Sequence, residues 1–196
     1  DYAGAARRRS ELDVIGVPAD MKPELAVLRG RLAEALGHDK DAIDAYRFAA
    51  YSNDRQASAE ARLLGALLSH KRGELGQAEL LRELETLSAI WRGDAIELMT
   101  LNRMAQIYAD TGRYVDSLSA AKTATRMQPN SELSRQSQDA ASALFAQLFL
   151  SPKGEDMKPV DALAMFYEYR ELTPIGRRGD EMIRRLAERL AAIDLL

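Results

Sequence analysis

The sequence lacks cysteine and has only two histidines among its 196 residues. The absence of cysteine excludes disulfides, thiolate zinc sites and cysteine nucleophiles. The histidines, His38 and His70, lie far apart in the sequence, which does not favour a shared metal site. No combination of nucleophile, base and orienting group is therefore evident for catalysis.

Long apolar runs and a large excess of one charge are also missing. No run approaches the roughly 18 apolar residues that a membrane-spanning helix needs, and Asp1–Arg9 has no apolar core of a signal peptide. The formal charge is only -3, so the molecule has no long-range attraction for nucleic acid or an anionic membrane. We predict a soluble segment without nucleic-acid binding or membrane insertion, in either the cytoplasm or the periplasm.

Phosphate-binding and calcium-binding motifs are absent as well. There is no Gly-x-x-x-x-Gly-Lys sequence, and no Gly-x-Gly-x-x-Gly sequence follows a strand. Asp39, Asp41 and Asp44 superficially suggest a calcium loop, but the glycine at its sixth position and the glutamate at its twelfth are missing. We predict no catalytic site, no metal and no cofactor.

The residues that are abundant favour helices. Hydrophobic residues make up 46% of the chain and charged residues 29%, which is typical of a soluble folded protein. Aromatic residues are only 6%, while Ala, Leu, Arg and Glu dominate, and these lose little entropy on entering a helix. The composition predicts an all-α fold.

One segment, residues 94–130, has the pattern of a complete helical hairpin. Apolar residues recur on one face of a first helix at Leu101, Met104, Ala105 and Tyr108. Gly112 suits the left-handed conformation that ends a helix, and Pro129 stops the second helix. The buried stripe predicted for that second helix consists of Ser117, Leu118, Ala121 and Ala124.

This segment resembles the tetratricopeptide repeat. It has large, small and Tyr positions in the first helix, Gly-x-Tyr in the turn at residues 112–114, small residues in the second helix and a terminal proline. The resemblance implies a right-handed α-α superhelix, a solenoid of antiparallel helical hairpins in which each hairpin buries its apolar face against its neighbours.

Weaker copies of the pattern occur on both sides. The predicted repeats cover residues 22–54, 57–91, 94–130 and 132–174, and the last contains an inserted loop at residues 151–159. The equivalent positions in the second helices are Ala42, Ala78, Ser117 and Ala162, at spacings of 36, 39 and 45 residues. All three spacings exceed the nominal length of about 34 residues. A divergent array of the bacterial type is therefore predicted, with related helical-hairpin solenoids as the alternative.

Glycines and prolines delimit these copies. Gly30 and Gly65 take the small position of the first helices, and Gly37 and Gly73 take the turns. In the last copy the predicted second helix contains Ala162, Leu163 and Phe166 and runs to Pro174.

Half-repeats are predicted at both ends of the chain. Residues 1–18 resemble the second helix of a preceding repeat, and residues 178–196 resemble the first helix of a following one, capped by Asp180. The pattern predicts that residues 1–196 form a single helical-repeat domain cut from a longer array. Apolar flanks without neighbouring repeats also predict self-association of the fragment.

In tetratricopeptide proteins the concave wall is lined by residues of the first helices that face away from the second helices. The resemblance places the following residues there: Val27, Arg31, Glu34, Arg62, Ala66, Ser69, Asn102, Gln106 and Asp110. Because a carboxylate clamp would need lysine beside Asn102, none is predicted.

The leading functional hypothesis is a protein-interaction scaffold that binds a peptide or helix of a protein partner in the concave groove. The alternative is a structural or accessory helical-repeat region of a larger enzyme or envelope-associated protein, with no binding role of its own. An α-helical enzyme is a third hypothesis, which the absence of a chemical constellation disfavours.

Overall fold

The computed structural model describes residues 21–193, and within this range the protein consists of α-helices and short connections, without strands. The helices are α1 (Lys22–Ala35), α2 (Asp39–Ala50), α3 (Arg55–Lys71), α4 (Gln77–Ile90), α5 (Asp94–Asp110), α6 (Tyr114–Met127), α7 (Glu132–Leu150), α8 (Pro159–Glu168) and α9 (Arg177–Ala191). The prediction of an all-α fold is confirmed for these residues. The predicted helix at residues 1–18 and the last residues of the predicted helix at 178–196 lie outside them.

Three predicted turn glycines end the first helix of a hairpin. Gly37, Gly73 and Gly112 have φ angles of 76°, 76° and 79°, in the left-handed region that glycine adopts without steric cost. After α1, the His38 N–H donates to the Ala33 carbonyl at 2.8 Å and the Gly37 N–H donates to the Glu34 carbonyl at 3.0 Å. These two bonds satisfy carbonyl groups that the end of the helix leaves unpaired.

The second helices of the four hairpins share one burial register, which corrects one of the predicted equivalences. In α2 the fourth and eleventh residues after the N-cap, Ala42 and Ala49, are buried. The corresponding residues of α4 are Leu80 and Leu87, whereas the predicted Ala78 is exposed.

An insertion in the turn explains the error. His38, directly after Gly37, is the N-cap of α2, but Glu74 and Leu75 separate Gly73 from the N-cap Gly76 of α4. The Gly76 N–H donates to the Glu79 carboxylate at 2.7 Å, which stabilises this later start. The equivalent positions are therefore Ala42, Leu80, Ser117 and Ala162, at spacings of 38, 37 and 45 residues.

The last predicted boundaries are also corrected. Helix α8 ends at Glu168, and a 3-10 turn at Arg170–Leu172 follows, so Pro174 is not part of a helix. Helix α9 begins at Arg177 after its N-cap Gly176, whose φ is 79°, and Asp180 lies in the first turn. Helix α9 therefore begins three residues before Asp180, the predicted cap. The inserted loop contains a second 3-10 turn, Pro152–Gly154.

The chain divides into two compact units, with the boundary between Thr100 and Leu101 inside α5. In unit 1, α1 packs on α2 and α3, and α3 also packs on α2 and α4. In unit 2, α7 packs on α6 and α9, and α9 also packs on α8. Repeat spacing alone did not predict a boundary at this point.

Each unit has its own apolar core. Tyr46 lies at the centre of the core of unit 1, among alanines of α1, α2 and α3. The core of unit 2 is built around Phe145 and Phe149 of α7, against which Phe166 of α8 packs. None of the helices in the described part of the chain has both the length and the apolar character needed to cross a bilayer.

Candidate functional site

A groove of about 610 Å³ lies in unit 1, and it is lined by residues of α2, α3 and α4. Small residues of α3, namely Ala61, Gly65 and Ala66, line it together with Tyr46 and Ala50 of α2. Gly65 and Ala66 are half-buried, and their small size leaves room in the groove for side chains of a ligand.

Two contacts bring α3 close to α2 beside this groove. The Ser58 hydroxyl donates to the Ala50 carbonyl at 2.7 Å. A Cβ atom placed on Gly65 would lie 3.5 Å from the Cβ of Tyr46, which is an ordinary contact distance. The helices thus meet through small residues, and the side of the groove formed by α2 is fixed by packing and by a hydrogen bond.

The groove carries charge at its edge. Arg62 of α3 pairs with Glu83 of α4, with 3.3 Å between Nη2 and Oε2. Both side chains are partly accessible, so the pair is screened by solvent and contributes little to stability. It therefore marks a polar rim that a ligand can reach.

Tyr51 supplies an aromatic side chain at the end of α2. It is the C-cap residue of that helix, it lines the groove and 87% of its surface is exposed. Exposed aromatic residues beside a groove are typical anchors of protein interfaces, because they bury a large area with few rotatable bonds. Sequence reasoning missed Tyr51, since its position at a helix end has no periodic signature.

Of the predicted concave residues of α1, one is buried and two contact neighbouring helices. Val27 is 3% exposed and belongs to the core, so its assignment to a binding surface is wrong. Arg31 forms an ion pair with Glu60 of α3 at 2.5 Å. The Tyr46 hydroxyl donates to the Glu34 carboxylate at 3.0 Å.

The predicted residues of α3 do line the groove. Arg62, Ala66 and Ser69 are brought together there. The predicted direction needs correction, because these side chains share the groove with residues of α2 and α4 and do not face away from the second helices. The reason is that α3 packs on both α2 and α4, and the face with Arg62 lies between them.

The predicted residues of unit 2 are partly engaged in hydrogen bonds. The Asn102 amide donates to the Ser137 hydroxyl of α7 at 2.6 Å, and the Gln106 amide donates to Asn102 Oδ1 at 3.2 Å. Asp110 is exposed near the end of α5. This arrangement connects α5 to α7 within unit 2.

Because of the contact between Tyr46 and Glu34, the stability of the protein changes with pH in the alkaline range. Burial, followed by the hydrogen bond to Glu34, raises the pKa of Tyr46 well above its ordinary value of 10. Above about pH 10 the unfolded chain loses this proton while the folded protein keeps it. The free energy of unfolding therefore falls as the pH rises through this range.

We predict that Tyr46→Phe removes this dependence. At pH 7 the variant is expected to be less stable by about 1 kcal/mol, because the hydrogen bond to Glu34 is lost. The difference from the unchanged protein should shrink above about pH 10, and urea unfolding followed by circular dichroism measures it. Tyr51→Phe, at an exposed tyrosine, controls for loss of a hydroxyl. A constant difference between the unchanged protein and Tyr46→Phe from neutral to alkaline pH would contradict the prediction.

Comparison with known proteins does not identify a family for this chain. No protein-family model matches the sequence, and the search of curated proteins also found no match. The resemblance to the tetratricopeptide repeat therefore stays a prediction, and the groove and the residues that line it are the features that bear on function.

Proposed function

We propose that the protein is an interaction scaffold that binds a peptide or helix of another protein, and that the groove of unit 1 is the binding site. The observation that carries the proposal is an open groove lined by small residues of α3 next to the exposed ring of Tyr51. Such a groove accepts apolar side chains of a ligand against Gly65 and Ala66, while Tyr51 covers them from the side.

We also propose that the helical hairpins belong to a tetratricopeptide-like array. Two features support this assignment. The turn glycines Gly37, Gly73 and Gly112 all have positive φ angles. The second helices bury residues at the same distances from their N-caps, as Ala42 and Leu80 illustrate. A shared register of this kind is typical of repeated supersecondary units.

The ion pair between Arg62 and Glu83 gives the proposed groove a polar edge. A ligand with a carboxylate near Arg62 would compete with Glu83 for the guanidinium, and a ligand with a basic group would contact Glu83. Arg47, the other charged residue of the lining, pairs with Asp44. The groove therefore carries little net charge and selects mainly by shape and apolar contact.

We predict that Ala66→Trp blocks binding. Peptides selected from a displayed library against the full chain are the probes, and their affinities are measured by isothermal titration calorimetry. The bulky indole would occupy the groove, so we expect affinity to fall at least about tenfold. Ala89→Trp is the matched control, since Ala89 is an exposed alanine of α4 that does not line the groove.

Equal affinity of the selected peptides for Ala66→Trp and for the unchanged protein would contradict the proposal. A failure of the library to yield any binder would do the same. Circular dichroism of both tryptophan variants checks that they are folded, so that loss of binding is not confused with loss of structure.

One observation favours the alternative of a structural or accessory region. Arg31, Glu34 and Arg62, which were predicted to bind a ligand, all contact neighbouring helices. If these contacts only hold the helices together, Arg62→Glu should lower stability without changing peptide affinity. The double variant Arg62→Glu with Glu83→Arg should then restore stability, because it recreates the pair in the opposite orientation.

A further inference from the structure

A second groove, of about 790 Å³, lies entirely within unit 2. It is formed by the start of α6, by the inserted loop between α7 and α8, and by α8. Its apolar lining includes Val115, Met157, Met165 and Tyr169. Val115 is more than half exposed, so apolar surface in this groove is open to a ligand.

The inserted loop that borders this groove is held in place by α9. The Arg189 guanidinium donates to the carbonyls of Gly154 and Met157 at 3.0 and 2.5 Å, and Arg185 donates to the Leu150 carbonyl at 3.0 Å. The Gly154 carbonyl also accepts from the Met157 N–H at 3.2 Å, so Arg189 adds a second donor there and binds the Met157 carbonyl as well. The side of the groove is therefore fixed before a ligand arrives, which lowers the entropy cost of binding.

Close packing fixes the same loop from the other side. A Cβ atom on Gly154 would lie 2.1 Å from the Leu148 carbonyl oxygen, so the loop approaches the backbone of α7 more closely than any other residue type allows. Gly154 is buried at this contact. The loop is thus a built part of unit 2.

The charged residues of this groove are mostly acidic. Asp156, Asp161 and Glu168 line it, with Lys153 as the basic residue of the lining. Glu168 pairs with Lys122, with 2.9 Å between Oε1 and Nζ. Asp156 and Asp161 are exposed and form no ion pair with any other residue of the described part of the chain.

The basic residue of the lining is itself occupied. Lys153 Nζ lies 5.6 Å from the centre of the Tyr114 ring, within the range of a cation–π contact. It is thus drawn towards Tyr114, while Asp156 and Asp161 have no ion-pair partner among residues 21–193. The groove combines accessible apolar surface with negative charge that no ion pair within this range offsets.

We propose that this groove binds a segment of another protein in which Lys or Arg residues flank an apolar side chain. The apolar side chain would contact Val115 and Met157, and the basic residues would pair with Asp156 and Asp161. Phosphate-bearing ligands are disfavoured because the carboxylates would repel them. This site is separate from the groove of unit 1, and the inference does not rest on that groove.

The probe is a short synthetic peptide with a central Leu-Phe pair flanked on both sides by Lys and Arg. The comparison peptide has Glu and Asp in place of Lys and Arg. Binding to the full chain is measured by calorimetry at low and high ionic strength. We expect the basic peptide to bind, the acidic peptide not to bind, and the affinity of the basic peptide to fall as salt is added.

The variants test where the basic peptide binds. The double variant Asp156→Asn with Asp161→Asn is expected to weaken binding about fivefold, because two exposed charge pairs are lost. Asp139→Asn with Asp180→Asn removes the same charge from exposed aspartates outside the groove and should leave affinity within about twofold. Lys153→Glu, which replaces the basic residue of the lining with an acidic one, should strengthen binding.

Absence of binding by the basic peptide would overturn the inference. Equal losses in the two double variants would also overturn it, because they would show a general charge effect. If Ala66→Trp abolishes binding while Asp156→Asn with Asp161→Asn does not change it, the peptide occupies the groove of unit 1. In that case the inference is wrong and the proposed function stands.

Discussion

Phe145→Ala is expected to lower the free energy of unfolding by about 3–5 kcal/mol. The Phe145 side chain is 0% exposed, and it belongs to the core of unit 2. Its ring centre lies 4.9 Å from that of Phe149 and 5.9 Å from that of Phe166. Removing the ring would lose its transfer free energy and two aromatic contacts, and it would leave a cavity between α7 and α8.

Urea unfolding followed by far-ultraviolet circular dichroism measures this loss. Phe48→Ala is the control, because Phe48 is 58% exposed on α2 and the same atoms are removed from a solvated surface. We expect a change of about 0.5 kcal/mol or less for the control. Similar losses for Phe145→Ala and Phe48→Ala would contradict the description of the core.

Gly30→Ala is expected to destabilise the protein by about 2–3 kcal/mol, although alanine favours helices by about 1 kcal/mol relative to glycine. A Cβ atom on Gly30 would lie 2.3 Å from Cε1 of Tyr46. Tyr46 is buried, and its hydroxyl is bound to Glu34, so its ring cannot move away without losing its packing or this hydrogen bond. The added methyl group would therefore separate α1 from α2.

Gly65→Ala is the matched substitution for Gly30→Ala. Its Cβ atom would lie 3.5 Å from the Cβ of the same tyrosine, which is ordinary van der Waals contact. We therefore expect Gly65→Ala to stabilise the protein by about 0.5–1 kcal/mol through helix propensity. Opposite signs for two Gly→Ala changes beside one side chain are the expected result. A stabilising effect at both sites would show that the ring of Tyr46 is not fixed.

Local sequence signals predicted the helices and their turns well. Gly37, Gly73 and Gly112 were recognised as turn residues, and each has a left-handed conformation that other residue types rarely adopt. The buried stripe of α6 was likewise predicted, since Ser117, Leu118, Ala121 and Ala124 are all buried. These features depend on backbone conformation and on apolar spacing, which a single sequence expresses directly.

The start of α4 shows the limit of such signals. The apolar pattern permitted a frame with Ala78 buried, but the two-residue insertion before Gly76, supported by the hydrogen bond from Gly76 to Glu79, places Leu80 on the buried face. Turn length is set by how two helices pack, and a two-residue insertion changes it without altering composition. Helix ends are for this reason harder to predict than helix existence.

The candidate site was predicted only in part. Arg62, Ala66 and Ser69, which were predicted to lie on a binding surface, line the groove of unit 1. Val27, which was predicted to lie there too, is buried. A family frame assigns faces to helices as if all repeats packed alike. In this protein the face of α3 that lines the groove is selected by its contacts with α2 and α4.

The second groove was not foreseen at all. Its lining combines residues as far apart in the sequence as Val115 and Tyr169, and the loop between them is held by Arg189 of α9. No local pattern in the sequence links an arginine in one helix to carbonyl groups in a distant loop.

By itself the sequence determined that this chain forms helices and where most of the turns between them lie. Backbone propensity and apolar period are local properties, so they can be read from neighbouring residues. The tertiary structure decided which small residues line an accessible groove and which predicted binding residues instead contact neighbouring helices. It also decided which carboxylates form no ion pair within residues 21–193. These outcomes depend on contacts between distant residues, and burial and charge pairing exist only once those contacts have formed.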